Sequence, residues 1–90
     1  MLSISIEKRA QKYLRSIQKK HVHQIVTKLY ELRHDPEPSD SKMLKNSEYR
    51  RADIGEHRII YLVIKNTLIV PLIGKRNDDE VYRRLRRLEG

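Results

Sequence analysis

The chain of 90 residues contains no cysteine and only three glycines. Without cysteine it can form neither a disulfide framework nor a thiolate metal site, and it has no thiol nucleophile. Its glycines, Gly55, Gly74 and Gly90, are too far apart to build a phosphate-binding loop. The sequence therefore argues against thiol enzymes and against folds that bind nucleotides through a glycine-rich turn.

Long apolar runs are also missing. No stretch approaches the roughly 20 apolar residues that a membrane-spanning helix needs, and the N-terminus has no apolar core of a signal peptide. We therefore expect a soluble, cytoplasmic protein without a membrane partner. The length predicts a single domain over residues 1–90, small enough that a bound partner would matter for its stability.

Positive charge is what the sequence has in excess. Twenty Lys and Arg residues against twelve Asp and Glu give a formal net charge of +8. This balance favours a polyanionic partner, either nucleic acid, the ribosome or an acidic protein. Residues 7–20 carry six basic residues and one acidic residue, with apolar residues at helical spacing between them. That segment is either a solvated helix face or an anion-binding surface.

The first half of the chain has the pattern of a strand followed by two helices. Apolar residues alternate with serine over residues 2–6, which is typical of a half-buried strand. Helical spacing follows over residues 10–17 and again over 22–32, so two helices with a short connection should pack as an antiparallel hairpin. The second helix should end near His34, because two prolines open a surface loop over residues 35–42.

The second half has the pattern of extended strands. An extended segment begins at Tyr49, and residues 58–64 and 68–73 predict a hairpin whose turn is formed by residues 65–67. Because Pro71 has no N–H to donate, we expect it at a bulge or with its nitrogen facing away from the neighbouring strand.

A C-terminal helix should follow the last strand. Asn77 is a good N-cap, Glu80 stands three residues later in the capping-box position, and the acids between them suit the first turn. The apolar residues of this helix include Val81, Leu85 and Leu88. The predicted order is β-α-α-β-β-β-α, an α+β fold with about four strands.

The sequence gives little support for a metal site or for a Ser-His-Asp hydrolase. The four histidines, His21, His23, His34 and His57, are not spaced as zinc ligands, and no strained nucleophile turn suggests a Ser-His-Asp hydrolase. We expect neither a metal nor a cofactor.

Arginines and tyrosines near extended backbone are the remaining candidates for chemistry. When a 2′-hydroxyl of RNA attacks the adjacent phosphate, negative charge builds on phosphoryl oxygens that guanidinium forks can match. An aromatic ring can stack on an unstacked base. Such a set suits an RNA phosphodiester, although ordinary surface arginines on a basic sheet would give the same pattern. The side chains concerned are Tyr49, Arg51, Asp53, Arg58, Arg76 and Tyr82.

Two segments resemble a known family. RRADIGEHRIIY at residues 50–61 and LIVPLIGKRNDDEVYRRLRR at residues 68–87 are similar to the RelE/ParE superfamily of toxins from bacterial toxin–antitoxin pairs, and to its RelE side in particular. The string GKRxxxEVY at residues 74–82 is the most specific part. The resemblance implies a RelE-like fold with a mainly antiparallel sheet. It also implies translation inhibition by metal-independent cleavage of mRNA in the ribosomal A site.

The resemblance also implies roles for single residues. Arg58 would stabilise the phosphate and the transition state, Arg76 would stabilise or protonate the leaving oxygen, and Tyr82 would stack on or orient the nucleotide. Arg51 stands where the family has a lysine proposed for proton transfer, and arginine is a poor general base because it does not deprotonate in proteins. Asp53 is unfavourable on a surface that binds RNA unless it pairs with an arginine. Further RNA contacts are expected from Tyr49, His57, Lys75 and Arg83.

Two other functions stay open. ParE-like members share the fold, inhibit DNA gyrase and generally lack these catalytic residues, so Arg58, Arg76 and Tyr82 favour the nuclease. A catalytically weakened relic that mainly binds its antitoxin is the other, and Asp53 is the feature that keeps it open. In each case we expect a cognate acidic antitoxin in a hetero-oligomer. It would cover the two-helix hairpin, a sheet edge and the C-terminal helix.

Overall fold

The computed structural model describes residues 1–77 and 80–89, with the side chains of residues 80, 88 and 89 outside the description. Five strands form one sheet of order β1-β5-β4-β3-β2, in which β1 runs parallel to β5 and the other neighbours are antiparallel. None of the helices in this part of the chain is long and apolar enough to cross a membrane. The elements are β1 (Ser3–Ile6), α1 (Lys8–Arg15), α2 (Lys19–His34), β2 (Ser41–Met43), β3 (Arg50–Ile54), β4 (His57–Ile64), β5 (Thr67–Lys75) and α3 (Glu80–Glu89).

The predicted α+β fold is confirmed, with one strand more than expected. The loop predicted over residues 35–42 was too long, because β2 begins at Ser41 and pairs with β3 at the edge of the sheet. Three residues are too few to show the period-two pattern, so β2 depends on pairing that the local sequence does not reveal. The sheet therefore has five strands instead of about four.

The sheet has a helix layer on each face. Ile59 and Ile60 are neighbours on β4 whose side chains alternate across the sheet, and they belong to different apolar clusters. The larger cluster joins α1 and α2 to the strands through Ala10, Ile25, Leu29, Leu32, Ala52, Ile59, Tyr61, Leu68, Val70 and Ile73. The smaller one joins α3 to the opposite face through Ile60, Leu72, Val81 and Leu85, with Leu44, Tyr49 and Tyr82 packed against it.

The central hairpin contains the predicted irregularity at Pro71. Ile60 pairs with Leu72 and Leu62 pairs with Ile69, so β5 has one residue more than β4 between these two pairs. Pro71 lies in that bulge, where its missing N–H is tolerated, and the expectation is confirmed. The turn itself is tighter than predicted. Lys65 and Asn66 have φ of 45° and 66°, as a two-residue hairpin turn requires, and residue 67 already belongs to β5.

Gly74 determines how closely α3 approaches the sheet. It lies opposite Arg58 in the β4–β5 ladder, and a Cβ at this position would be 3.2 Å from the Cβ of Val81. Glycine thus permits a close contact that brings the start of α3 next to Arg58. The predicted capping box depends on the side chain of Glu80 and on residues 78–79, which lie outside the described residues, as does the side chain of Leu88.

Candidate functional site

Arg58 is the centre of the candidate site. It lies on β4 with 9% of its surface exposed, directly opposite Asp53 in the β3–β4 hairpin. Its Nε and Nη2 donate hydrogen bonds to the two carboxylate oxygens of Asp53 at 2.7 and 3.0 Å, and its Nη1 donates to the hydroxyl of Tyr82 at 2.5 Å. A strand neighbour and a helix residue thus hold one guanidinium from two sides.

Asp53 is surrounded by three arginines. The hydrogen bonds from Arg58, and then the charges of Arg58, Arg51 and Arg76, hold the pKa of its carboxyl below the usual value. The same pairing raises the pKa of Arg58. Arg51 lies two residues before Asp53 on β3, and Arg76 follows β5, where its backbone N–H donates to the carbonyl of Glu56 at 2.8 Å. We refer to Arg51, Asp53, Arg58, Arg76 and Tyr82 as the arginine face.

Aromatic and apolar side chains support the arginine face from within. Tyr49 and Tyr82 both pack against the smaller apolar cluster, so Tyr49 lies on the same side of the sheet as the three arginines. Beside them is a cleft of about 170 Å³, lined by Asp40, Lys42, Arg51 and Asp53. Arg83 is exposed on α3, next to Tyr82.

His57 and Lys75 lie on the other face of the sheet. They pair with each other across β4 and β5, and both line a cleft with residues of α1 and α2. His57 is 4% exposed, with its Nδ1 2.8 Å from the Tyr13 hydroxyl and its Nε2 2.9 Å from Nδ1 of His21. Because His57 and Lys75 lie on the opposite side of the sheet from the arginine face, the structure does not support their predicted RNA contacts. We leave both residues out of the proposed site.

The buried His57 predicts a pH-dependent stability. Burial first, then the neighbouring His21, lowers the pKa of His57 in the folded protein. The unfolded chain, in which a histidine has a pKa of about 6.5, therefore binds more protons as the pH falls below that value. The free energy of unfolding should decrease as the pH falls through about 6.5 and level off below the folded pKa, with a slope of at most ~1.4 kcal/mol per pH unit for one proton. Urea unfolding at pH 7.5, 6.5 and 5.5 measures this dependence of the free energy of unfolding on pH.

The control for this pH dependence is His57→Gln, which cannot titrate in this range. Its free energy of unfolding should change less between pH 7.5 and 5.5 than that of the wild type. Lys75 and Glu56, the charged neighbours of His57, act in opposite directions on its pKa. An equal pH dependence in the variant and the wild type would contradict the assignment to His57.

The arginine face has the guanidinium donors that a phosphodiester would need, but one of its guanidinium forks is already paired. The fork of Arg58 formed by Nε and Nη2, which matches two phosphate oxygens, is already occupied by the Asp53 carboxylate. A phosphate must displace Asp53 from that fork or bind through Arg51 and Arg76. Among the described residues, no group of three or more His, Asp or Glu side chains is placed to hold a metal ion.

Sequence reasoning missed part of this arrangement. The sequence raised the pairing of Asp53 with an arginine as a condition and did not say which arginine. A two-residue turn at residues 55–56 places residue 53 opposite residue 58 and so identifies it as Arg58. The contact of His57 with Tyr13 and His21 had no such signal. These residues are far apart in the chain, and tertiary packing alone brings them together.

Comparison with known proteins agrees with the resemblance seen in the sequence. The family described as ParE toxin of type II toxin-antitoxin system, parDE, matches residues 4–88, nearly the whole chain. No curated protein sequence matches.

Several solved structures share the fold. The isolated E. coli RelE toxin is 22% identical with a TM-score of 0.75, and the alignment covers 100% of both chains. A chain of the archaeal RelE–RelB complex from Pyrococcus horikoshii OT3 is 24% identical with a TM-score of 0.75, covering 84% of this chain and 96% of that one. The YoeB dimer from Staphylococcus aureus gives 26% identity and a TM-score of 0.64, over 78% of this chain and 91% of that one. These likenesses establish the fold.

Proposed function

The chain belongs to the ParE toxin family of type II toxin–antitoxin systems, within the RelE/ParE superfamily, and on that premise we propose that it is an endoribonuclease that cleaves mRNA on the ribosome and so inhibits translation. The observation that carries this proposal is the convergence of Arg58, Asp53 and Tyr82 from three different elements, with Arg51 and Arg76 close enough to lower the pKa of Asp53.

In the proposed reaction the 2′-hydroxyl of a nucleotide gives its proton to solvent water and its oxygen bonds to the adjacent phosphorus, while the bond from phosphorus to the 5′-oxygen breaks. The 5′-oxygen takes up a proton, and the products are a 2′,3′-cyclic phosphate and a 5′-hydroxyl. Negative charge develops on the phosphoryl oxygens and on the leaving oxygen. Arg58 and Arg51 would stabilise the first, Arg76 the second, and Tyr82 would orient the nucleotide. Charge stabilisation of this kind requires donors held in place before the reaction, which the two-sided fixation of Arg58 provides.

The proposed nuclease should leave a specific trace in cells. Induced expression should produce new 5′ ends inside coding regions, which sequencing of transcript ends measures, while expression of Arg76→Ala should not. Arg76 is exposed, so the substitution should leave the fold intact. Intact mRNA during growth arrest by the wild-type protein would refute the proposal.

A second candidate function is inhibition of DNA gyrase, which the ParE description of the matching family favours. It predicts that growth arrest coincides with a loss of plasmid supercoiling while transcripts stay whole. The two functions are separated by measuring plasmid topology and transcript ends in the same culture. Loss of arrest in Arg58→Ala together with unchanged supercoiling in the wild type would favour the nuclease.

The proposed partner is an acidic antitoxin. A groove of about 420 Å³ runs beside β1, which forms an edge of the sheet, and is lined mainly by apolar side chains from β1 and α2. An open sheet edge next to an apolar groove suits an amphipathic segment of a protein partner. The side chains that line it are Ile4, Ile6, Gln11, Val26, Leu29 and Tyr30.

A further inference from the structure

A cleft between α1 and α3 is lined by more basic side chains than the arginine face contains. It has a volume of about 350 Å³, and four of the six side chains that line it are basic. None of the described lining residues is acidic, whereas the arginine face contains the Asp53 carboxylate. The lining residues are Arg9, Lys12, Tyr13, Ser16, Arg84 and Arg87.

The basic residues are arranged as two facing stripes. On α1 the lining residues Arg9, Lys12 and Tyr13 follow the spacing i, i+3 and i+4, and the C-cap residue Ser16 continues it. On α3 Arg84 and Arg87 are three residues apart. Residues at these intervals lie on one side of a helix. Among the described side chains, Arg9, Lys12 and Arg87 form no ion pair with an acidic residue. Like charges placed together in this way repel each other, and an anion between the stripes would relieve that repulsion.

The uncharged polar groups of the cleft are already engaged within the protein. The Tyr13 hydroxyl is hydrogen-bonded to His57, and the Ser16 hydroxyl donates to the carbonyl of Tyr13 at 2.7 Å. These two contacts hold the wall of the cleft in place, and Arg9, Lys12 and Arg87 supply the cations that can bind a ligand. Arginine forks and a lysine ammonium are the donors that phosphates prefer.

We propose that this cleft is a second RNA site, which holds the phosphate backbone of RNA at a distance from the cleavage chemistry. The inference rests on the proposed RNA substrate. Val81 and Leu85 bury one side of α3 against the sheet, Tyr82 contacts Arg58, and Arg84 and Arg87 contribute to the cleft beside α1. RNA in the cleft would thus increase affinity without contacting the reacting atoms.

The test compares two double variants that remove the same charge from exposed helix positions. Arg9→Ala/Lys12→Ala alters the cleft, and Lys19→Ala/Lys20→Ala removes two cations at the start of α2, outside the cleft. Alanine is a strong helix former, so both variants should fold. Binding of a fluorescent single-stranded RNA is measured by anisotropy across a series of salt concentrations. The measured strand is made as its 2′-deoxy analogue, which lacks the attacking 2′-hydroxyl and is therefore not cleaved during the measurement.

The cleft variant should bind RNA about tenfold more weakly at 100 mM salt. Loss of two phosphate contacts should also reduce the slope of log K against log salt by about 1.4, since single strands give roughly 0.7 per contact. The control variant should change both quantities less. Equal losses in the two variants would overturn the proposal, and so would a poly-glutamate peptide that binds the cleft more tightly than RNA of equal charge.

These experiments can refute the cleft proposal and the nuclease proposal separately. If the protein binds RNA through the cleft but leaves mRNA intact, the nuclease proposal fails while the cleft proposal stands. If Arg9→Ala/Lys12→Ala lowers the maximal cleavage rate on saturating RNA as much as Arg76→Ala does, the cleft belongs to the catalytic site and the proposal of a separate backbone site is wrong.

Discussion

Arg58→Ala should reduce the rate of mRNA cleavage by about 10²–10³, the usual loss when one preorganised donor to the transition-state charge is removed. The guanidinium of Arg58 contacts both Asp53 and Tyr82. The substitution therefore removes a donor and also the contact that holds two neighbouring groups in place. Single-turnover cleavage of mRNA in a purified translation system measures the effect, and the loss should appear in the rate at saturation.

The control variants separate chemistry from folding. Arg58→Ala leaves the partly buried Asp53 without its partner, so thermal unfolding must be measured alongside cleavage. Arg58→Lys keeps the charge but loses the planar fork, and it should also cleave slowly while unfolding closer to the wild type. Arg15→Ala removes one positive charge from an exposed position at the end of α1 and should cleave normally. Cleavage by Arg58→Ala within threefold of the wild-type rate would remove Arg58 from the proposed mechanism.

Much of the fold was predictable because its elements carry strong periodic patterns. The first strand, both helices of the first half and the central hairpin follow their hydrophobic spacing, and the bulge at Pro71 follows from the missing N–H. β2 could not be predicted, since a three-residue edge strand depends on its neighbour. Its position is supported by contacts with β3, such as the 2.9 Å hydrogen bond from Arg50 to the Ser41 hydroxyl.

The sequence predicted which residues form the candidate site, but it did not predict that the Asp53 carboxylate pairs with Arg58 there. Resemblance to the family selected Arg51, Arg58, Arg76 and Tyr82, and the structure brings them to one face together with Asp53. His57 was expected near the same site because it matches a position that is usually aromatic in the family that the sequence resembles. On a strand, however, adjacent residues point to opposite faces, and its partners come from α1 and α2.

Asp53 should influence the proposed cleavage activity in two opposite ways. Its carboxylate binds the guanidinium of Arg58 with the two-point geometry that a phosphate would use. The carboxylate orients Arg58. It would also repel an RNA phosphate and compete with it for the same guanidinium. Tyr82 holds Arg58 from the other side through Nη1, so orientation does not depend on Asp53 alone, and we expect the competition to dominate.

Asp53→Asn should therefore increase kcat/KM for RNA cleavage by about tenfold, because removing one charge within several ångström of a phosphate changes its binding by roughly 1–2 kcal/mol at an effective dielectric between those of protein and water. The amide oxygen can still accept one hydrogen bond from Arg58. Loss of the charged pair, which is partly exposed, should lower the free energy of unfolding by about 1 kcal/mol. Cleavage assays and urea unfolding on the same preparations measure both.

Asp53→Glu is the matched control, since it keeps the negative charge and should not gain activity. If the wild-type protein cleaves poorly and the Asp53→Asn variant cleaves well, the Asp53 carboxylate inhibits cleavage in the wild-type protein. A wild type and variant that are both inactive, with antitoxin binding intact, would instead fit the weakened relic. If Asp53→Asn lost activity as severely as Arg58→Ala, the carboxylate would have to position Arg58 or take a proton during the reaction, and competition with phosphate would be the wrong account of the pair.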